Sequence, residues 1–174
     1  METQIKEELK KIEELEDVKI IMAIESGSRA WGFASPDSDY DVRFIYVRNK
    51  VDYLRLDKVR DVIEWRLDDV LDISGWDIRK ALELLYKSNP TLFEWCASPI
   101  IYKEMEEAQW LKDILPHYFS RKKSLYHYLS MAKSNYHKYL QGEEVRLKKY
   151  FYVLRPILAA QWILDKKCAP PMQF

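Results

Sequence analysis

Thiols, glycine and long apolar runs are all scarce in this 174-residue chain. Its two cysteines, Cys96 and Cys168, lie far apart with no Cys-x-x-Cys spacing. That excludes a disulfide scaffold and a thiolate metal site, and fits a reducing compartment. No uninterrupted apolar stretch approaches the roughly 18 residues that suggest a membrane-spanning helix. The opening Met1-Glu-Thr-Gln-Ile-Lys-Glu-Glu8 is acidic and amphipathic, without the apolar centre of a secretory signal. The expected location is therefore the cytoplasm, with no membrane partner. His117, His127 and His137 follow one another at ten-residue intervals, a spacing that builds no metal cluster. No internal repeat or low-complexity tract is visible.

Net charge is formally zero as well, but the zero hides a split. Residues 1–104 carry 16 Lys and Arg against 22 Asp and Glu, whereas residues 105–174 carry 12 against 6. Such a division is either ordinary variation between two solvated surfaces or an acidic, cation-collecting half facing a basic half suited to phosphates.

What the chain does have is core-forming material. It is 48% hydrophobic and 14% aromatic, which excludes a disordered protein. Its length suffices for one sizeable core, or for one domain with a helical appendage. Ile5, Leu9, Ile12 and Leu15 repeat at helical spacing over residues 3–16. Val18-Lys-Ile-Ile-Met-Ala-Ile24 and Asp41-Val-Arg-Phe-Ile-Tyr-Val47 read as strands, separated by a loop or a loop with a short helix. Residues 61–67 and 70–74 read as two more strands, joined by a tight turn at Asp68-Asp69. A helical stripe follows from Asp77 to about Lys87, and Asn89-Pro90 stops it. Beyond residue 104 the pattern predicts one long helix through Tyr118, Leu125, Leu129 and Tyr136. A second runs from Glu143 to about Lys167 and kinks at Pro156. The expectation is an α/β portion over 1–104 and a helical portion over 105–174.

Chemistry concentrates between Glu25 and Asp41. Where the first strand ends, Gly27-Ser28 lets the backbone approach a ligand closely and supplies N–H and hydroxyl donors suited to phosphate oxygens. Asp39 and Asp41 enter the second strand two residues apart, so their carboxylates point to one face. Two such carboxylates repel unless a cation lies between them, which makes the pair a natural site for magnesium or manganese. Arg29, Arg43 and Lys80 are each placed to reach a phosphate or to serve as plain surface charge. Trp31 and Phe33 either stack on a base or pack in the core. In the second half, Lys149, Tyr152 and Arg155 share a helix face, with Lys148 and Arg121-Lys-Lys123 nearby. Cations beside an aromatic ring suit a nucleotide by charge and by stacking.

A Gly-Ser turn followed a dozen residues later by Asp-x-Asp, with apolar strands on both sides, resembles the DNA polymerase β nucleotidyltransferase superfamily. Gly27-Ser-Arg-Ala-Trp-Gly-Phe-Ala-Ser-Pro-Asp-Ser-Asp-Tyr-Asp-Val-Arg-Phe44, Ser74-Gly-Trp-Asp-Ile-Arg-Lys80, Glu94-Trp95 and Lys149-Tyr-Phe-Tyr-Val-Leu-Arg-Pro156 narrow the likeness. They resemble nucleotidyltransferases assigned to RNA repair pathways, over essentially the whole chain. The resemblance implies an α+β fold: a small mixed sheet with flanking helices, followed by a C-terminal helical segment. It implies that Gly27 and Ser28 hold the β and γ phosphates of an NTP and that Asp39 and Asp41 bind Mg²⁺ or Mn²⁺. It also implies a third carboxylate on a neighbouring strand, matched by Asp72, which would join Asp39 and Asp41 as a metal ligand and help activate an acceptor hydroxyl. Asp77 competes for that place, but stands where a helix N-cap belongs. Arg29, Lys149 and Arg155 complete the expected nucleotide contacts, the last two because related enzymes set basic residues of a C-terminal helix against the nucleotide. Relatives generally continue past Ala169-Pro-Pro-Met-Gln-Phe174, so the helical segment is a natural short form or a truncated one.

The expected reaction is metal-dependent transfer of an NMP from an NTP to a hydroxyl, of an RNA end or a protein. The alternatives are a nucleotide-binding or regulatory module without turnover and an antitoxin-like enzyme modifying a partner protein.

Overall fold

The first helix, α1 (Glu2–Glu16), turns Ile5, Leu9 and Ile12 inward, and ends on Asp17 in the left-handed conformation. Leu15, expected on the same stripe, is instead 73% exposed. Strand β1 (Val18–Glu25) then runs through the centre of the molecule, buried at every position except Lys19. The short helix α2 (Gly27–Ala30) and an irregular loop lead to β2 (Tyr40–Arg48), antiparallel to β1. After the helical turn α3 (Lys50–Tyr53) come β3 (Val62–Arg66) and β4 (Leu71–Asp77). Next are α4 (Ile78–Tyr86), α5 (Pro90–Cys96), β5 (Ile101–Glu104) and α6 (Glu106–Tyr118). Two long helices, α7 (Arg121–Tyr139) and α8 (Leu147–Lys166), finish the chain. This computed structural model describes residues 1–66, 70–142 and 144–173. The tight turn expected at Asp68-Asp69 lies outside the described residues.

The sheet has the order β3-β4-β2-β1-β5, with β2 and β4 parallel and every other neighbouring pair antiparallel. It is mixed, and both of its faces are covered. Val42, Phe44, Tyr46, Leu71 and Ile73 pack against α1 on one side. Ile21, Met22, Ile24 and Ile45 pack against α4, α5 and α6 on the other. Gly75 sits in β4 because the Phe44 ring crosses the place where a Cβ would stand. On Asn89-Pro90 the sequence carried a second message besides the stop of α4. Asn89 Oδ1 accepts the Thr91 N–H at 2.9 Å and Pro90 opens α5, the arrangement that favours a helix start.

The single helix expected through Tyr118 is two helices. Tyr118 ends α6, the chain turns at Phe119, and Ser120 caps α7 through the Lys123 N–H. Ala108 and Leu111 of α6 belong to the core beneath the sheet, whereas Tyr128 of α7 packs with Ala159, Ala160 and Ile163 of α8. Helix α8 runs continuously through Pro156. No helix among the described residues is long and apolar enough to cross a membrane.

Candidate active site

Glu25 closes β1 with a fully buried carboxylate. Its Oε1 accepts the Asp41 backbone N–H at 2.8 Å, and its Oε2 accepts the Tyr102 hydroxyl at 2.5 Å. Burial pushes the Glu25 pKa up, and these two donors only partly offset it. The Ser26 N–H donates in return to the Asp41 carbonyl at 2.8 Å. The end of β1 and the start of β2 are thus locked together at the point where Gly27 turns the chain.

Gly27 has φ +61°, a conformation that disfavours side chains, and a Cβ here would collide with Asp41 Oδ2. The Asp41 carboxylate therefore lies directly against the Gly27 backbone. Burial raises the Asp41 pKa, Arg43 opposes that, and the neighbouring Asp72 and Asp39 add to it. A bound divalent cation would act in the opposite sense and favour the ionised carboxylate.

Parallel pairing of β2 and β4 sets Asp41 opposite Asp72, so the sequence-based choice of the third carboxylate lands on the neighbouring strand in register. Between them stands Arg43. Its Nη2 donates to Asp41 Oδ1 at 3.2 Å and to Asp72 Oδ2 at 2.7 Å, while Nη1 donates to the Asp72 carbonyl at 3.1 Å. A guanidinium thus neutralises part of the carboxylate pair. Asp39 is exposed just before β2 and lines the same cleft as Asp41. Asp77 does cap α4, its Oδ1 accepting the Arg79 N–H at 2.8 Å while Oδ2 takes the Tyr53 hydroxyl at 3.0 Å. Burial pushes that tyrosine's pKa up to about 12.

The loop after α2 is tied by hydroxyls. Ser28 Oγ lies 3.2 Å from Ser38 Oγ, which also accepts the Ser35 N–H at 2.9 Å and the Lys148 ammonium at 3.0 Å. Arg29 grips the same loop: Nη2 donates to the Ser38 carbonyl at 2.6 Å and Nε to the Asp39 carbonyl at 3.1 Å, with the guanidinium 3.7 Å above the Tyr40 ring. In this geometry Arg29 orders the loop that carries Asp39.

The helical pair closes the cleft. Arg155, 5% exposed, pairs with Glu94 Oε1 at 3.1 Å and lies 4.3 Å over the Trp31 ring. The Tyr128 hydroxyl donates to the same Glu94 oxygen at 2.7 Å. Trp31 and Phe33 pack onto α8, Phe33 stacking on Phe151 at 5.2 Å and Trp31 meeting Tyr152 edge-on at 6.2 Å. Lys149 is drawn over Tyr139 at 4.2 Å and does not line the cleft; its neighbour Lys148 does. Lys80 pairs with Asp61, away from the cleft.

The result is a cleft of about 270 Å³. Gly27, Ser28, Asp39 and Asp41 form one wall, and Asn135, Tyr139, Lys148, Tyr152 and Arg155 form the other. Gly27, Ser28, Asp39, Asp41 and Arg155 of the sequence-based set come together here. Asp72 joins through Arg43, while Arg29 and Lys149 stand beside the cleft. Asn135 escaped sequence reasoning, and Glu25 and Glu94 were noted there without the roles they have here. A carboxylate at the end of an apolar run, as at Glu25, was the one local signal available.

Among the described residues no group of three or more His, Cys, Asp or Glu is gathered to hold a metal ion. Magnesium nevertheless needs only one or two protein carboxylates, with water and substrate phosphates completing its shell. Asp39 and Asp41 in the cleft wall meet that requirement.

A mixed sheet with carboxylates at one strand end beside a glycine turn defines a nucleotidyltransferase-like protein of the polymerase β kind. More particularly, residues 1–174 match the RNA repair pathway DNA polymerase beta family, and the chain belongs to that family. It is 55% identical over 175 residues to the uncharacterized protein YcgL of Bacillus subtilis (strain 168), covering 100% of this chain and 67% of that protein. A 1.90 Å crystal structure of a nucleotidyltransferase-like protein from Exiguobacterium sibiricum 255-15 aligns with 95% of the chain at 15% identity and a TM-score of 0.42. This chain spans 59% of the length of that one.

Proposed function

We propose that the protein transfers a nucleoside monophosphate from an NTP to the hydroxyl of an RNA end, releasing pyrophosphate. The observation that carries this reading is the Asp41 carboxylate packed against the Gly27 backbone, with Asp72 in register beside it. The glycine turn, Asp39 and Asp41 then share one wall of a cleft, with Asp72 tied to Asp41 through Arg43.

In this reading Gly27 and Ser28 hold the β and γ phosphates, and Lys148 and Arg155 offset their charge from the opposite wall. Asp39 and Asp41 would hold Mg²⁺ or Mn²⁺, which supplies charge neutralisation of the phosphates and a template for in-line displacement. The acceptor oxygen forms its bond to the α-phosphorus as the bond to the β-phosphate oxygen breaks. The hydroxyl proton passes to the Asp72 carboxylate, which Arg43 must then release in part. Trp31, Phe33 and Phe151 pack together on that side of the turn.

Arg43 also favours a second reading. A guanidinium already bound to both Asp41 and Asp72 suits a module that binds nucleotide without turnover. Incubation with labelled NTPs, magnesium or manganese, and RNA or protein acceptors separates the two. Label should enter RNA and disappear in Asp39→Asn and Asp41→Asn. Incorporation undiminished in both variants removes the chemistry from this site, and metal-dependent binding without transfer to any acceptor selects the second reading.

A further inference from the structure

Helix α8 contains a defect that its neighbour repairs. Pro156 has no N–H, so the Tyr152 carbonyl four residues earlier loses its ordinary intrahelical donor. Asn135 of α7 fills the place, its Nδ2 donating to the Tyr152 carbonyl at 2.8 Å. A carbonyl only accepts, so the Asn135 amide must present its NH₂ there, and its two ends are not interchangeable. Oδ1 faces the other way, and among the described residues it receives no hydrogen bond. Asn135, Tyr152 and Pro156 all line the candidate active-site cleft, across from Gly27 and Asp41.

An orientation-locked acceptor in a cleft selects a donor. Phosphates bring only acceptors, and they belong at the Gly27 end. The wall formed by Asn135, Met131 and the rings of Tyr139 and Tyr152, whose centroids are 6.1 Å apart and whose planes are tilted by 55°, presents aromatic faces beside the amide. That is the surface a nucleobase stacks on.

Resting on the nucleotidyltransferase reading above, we propose that Asn135 is a specificity-determining residue. Its Oδ1 accepts a hydrogen bond from the exocyclic amino group of adenine or cytosine and meets the keto oxygen of hypoxanthine or uracil with repulsion. The same amide cannot turn to suit a keto base without abandoning the Tyr152 carbonyl to the interior of a helix interface.

The test is calorimetric titration of the full chain with ATP, ITP, CTP and UTP in the presence of magnesium. ATP and ITP differ at the purine 6-position, amino against keto, and CTP and UTP differ in the same sense at the pyrimidine 4-position. ATP should bind about tenfold tighter than ITP, and CTP about tenfold tighter than UTP, the worth of one good hydrogen bond. Asn135→Leu should abolish both differences, by weakening ATP and CTP and by relieving the repulsion felt by ITP and UTP. Should that variant fold poorly, Asn135→Ala, which leaves room for water to donate to the Tyr152 carbonyl, provides the same comparison. Equal affinity for ATP and ITP in the unmodified chain, lost in Asp41→Asn, overturns the role of Asn135 and leaves the site standing. A preference that survives Asn135→Leu also overturns it. Absence of binding by every triphosphate removes this inference and the nucleotidyltransferase reading together.

Discussion

The two sides of the cleft are built by different physics. The wall bearing Gly27 and Asp41 grows from a sheet whose strands bury large aliphatic and aromatic side chains on both faces. The opposite wall is a helical pair whose buried cluster is small, with Tyr128, Ala159, Ala160 and Ile163 at its centre. Its outer side exposes Leu147, Leu154, Leu158 and Leu164. What fixes the pair against the sheet is a few polar and aromatic joints: Glu94 with Arg155 and Tyr128, Lys148 with Ser38, and Phe33 with Phe151. One wall is held by volume and the other by contacts that can be deleted one at a time.

The largest effect should come from the first wall. Phe44→Ala removes a fully buried ring that packs over Gly75 and beside Tyr46, and leaves a cavity the sheet cannot close. A loss of about 4 kcal/mol is expected in chemical denaturation. A loss below about 1 kcal/mol would mean that the sheet is not the rigid half.

Next in size is the joint itself. Glu94→Ala removes the carboxylate oxygen that Arg155 and the Tyr128 hydroxyl share, at a cost of about 3 kcal/mol. The comparison predicts where that cost appears. Hydrogen exchange should accelerate in α7 and α8 and stay slow in β1 and β2. Uniform acceleration throughout would show that the two walls unfold as one unit.

Much of the first wall was legible because it is local. Gly27 and Asp41 announce themselves by spacing, Asp77 by its position before a helix, and Asp72 by matching the third carboxylate that the family resemblance implies. What stayed hidden depended on register or docking. Arg43 looked like a candidate phosphate ligand, and only the pairing of β2 with β4 shows it bonded to two carboxylates. Lys148 and Lys149 are about 100° apart around a helix, so which one enters the cleft is decided by how α8 meets the loop at Ser38. The elements α5 and β5 went unread because a seven-residue helix and a four-residue strand carry too few turns or alternations to show a period, and α6 was read only as part of one long helix.

A smaller effect should come from pH. Burial holds the Glu25 pKa above its unfolded value, so its contribution to stability is full below about pH 4.3 and is lost as pH rises through the folded value. Glu25→Gln keeps an acceptor for the Asp41 N–H and removes the titration. Between pH 7 and pH 5 the unmodified protein should therefore gain melting temperature relative to this variant. Parallel curves would show that water reaches the carboxylate.

The smallest effect is expected on the outer side of the second wall. Leu164 is 57% exposed, and replacing it by alanine removes a side chain that water already surrounds. Alanine is also a slightly better helix former. The change in stability should stay within about 0.5 kcal/mol. Set beside Phe44→Ala, the pair measures the contrast directly, since both delete a large apolar group and only one opens a cavity. A loss of 2 kcal/mol or more at Leu164, with no change in the oligomeric state seen by light scattering, would mean that α8 depends on its outer side as much as on Glu94. The division of the cleft into a packed wall and a jointed wall would then have to be abandoned.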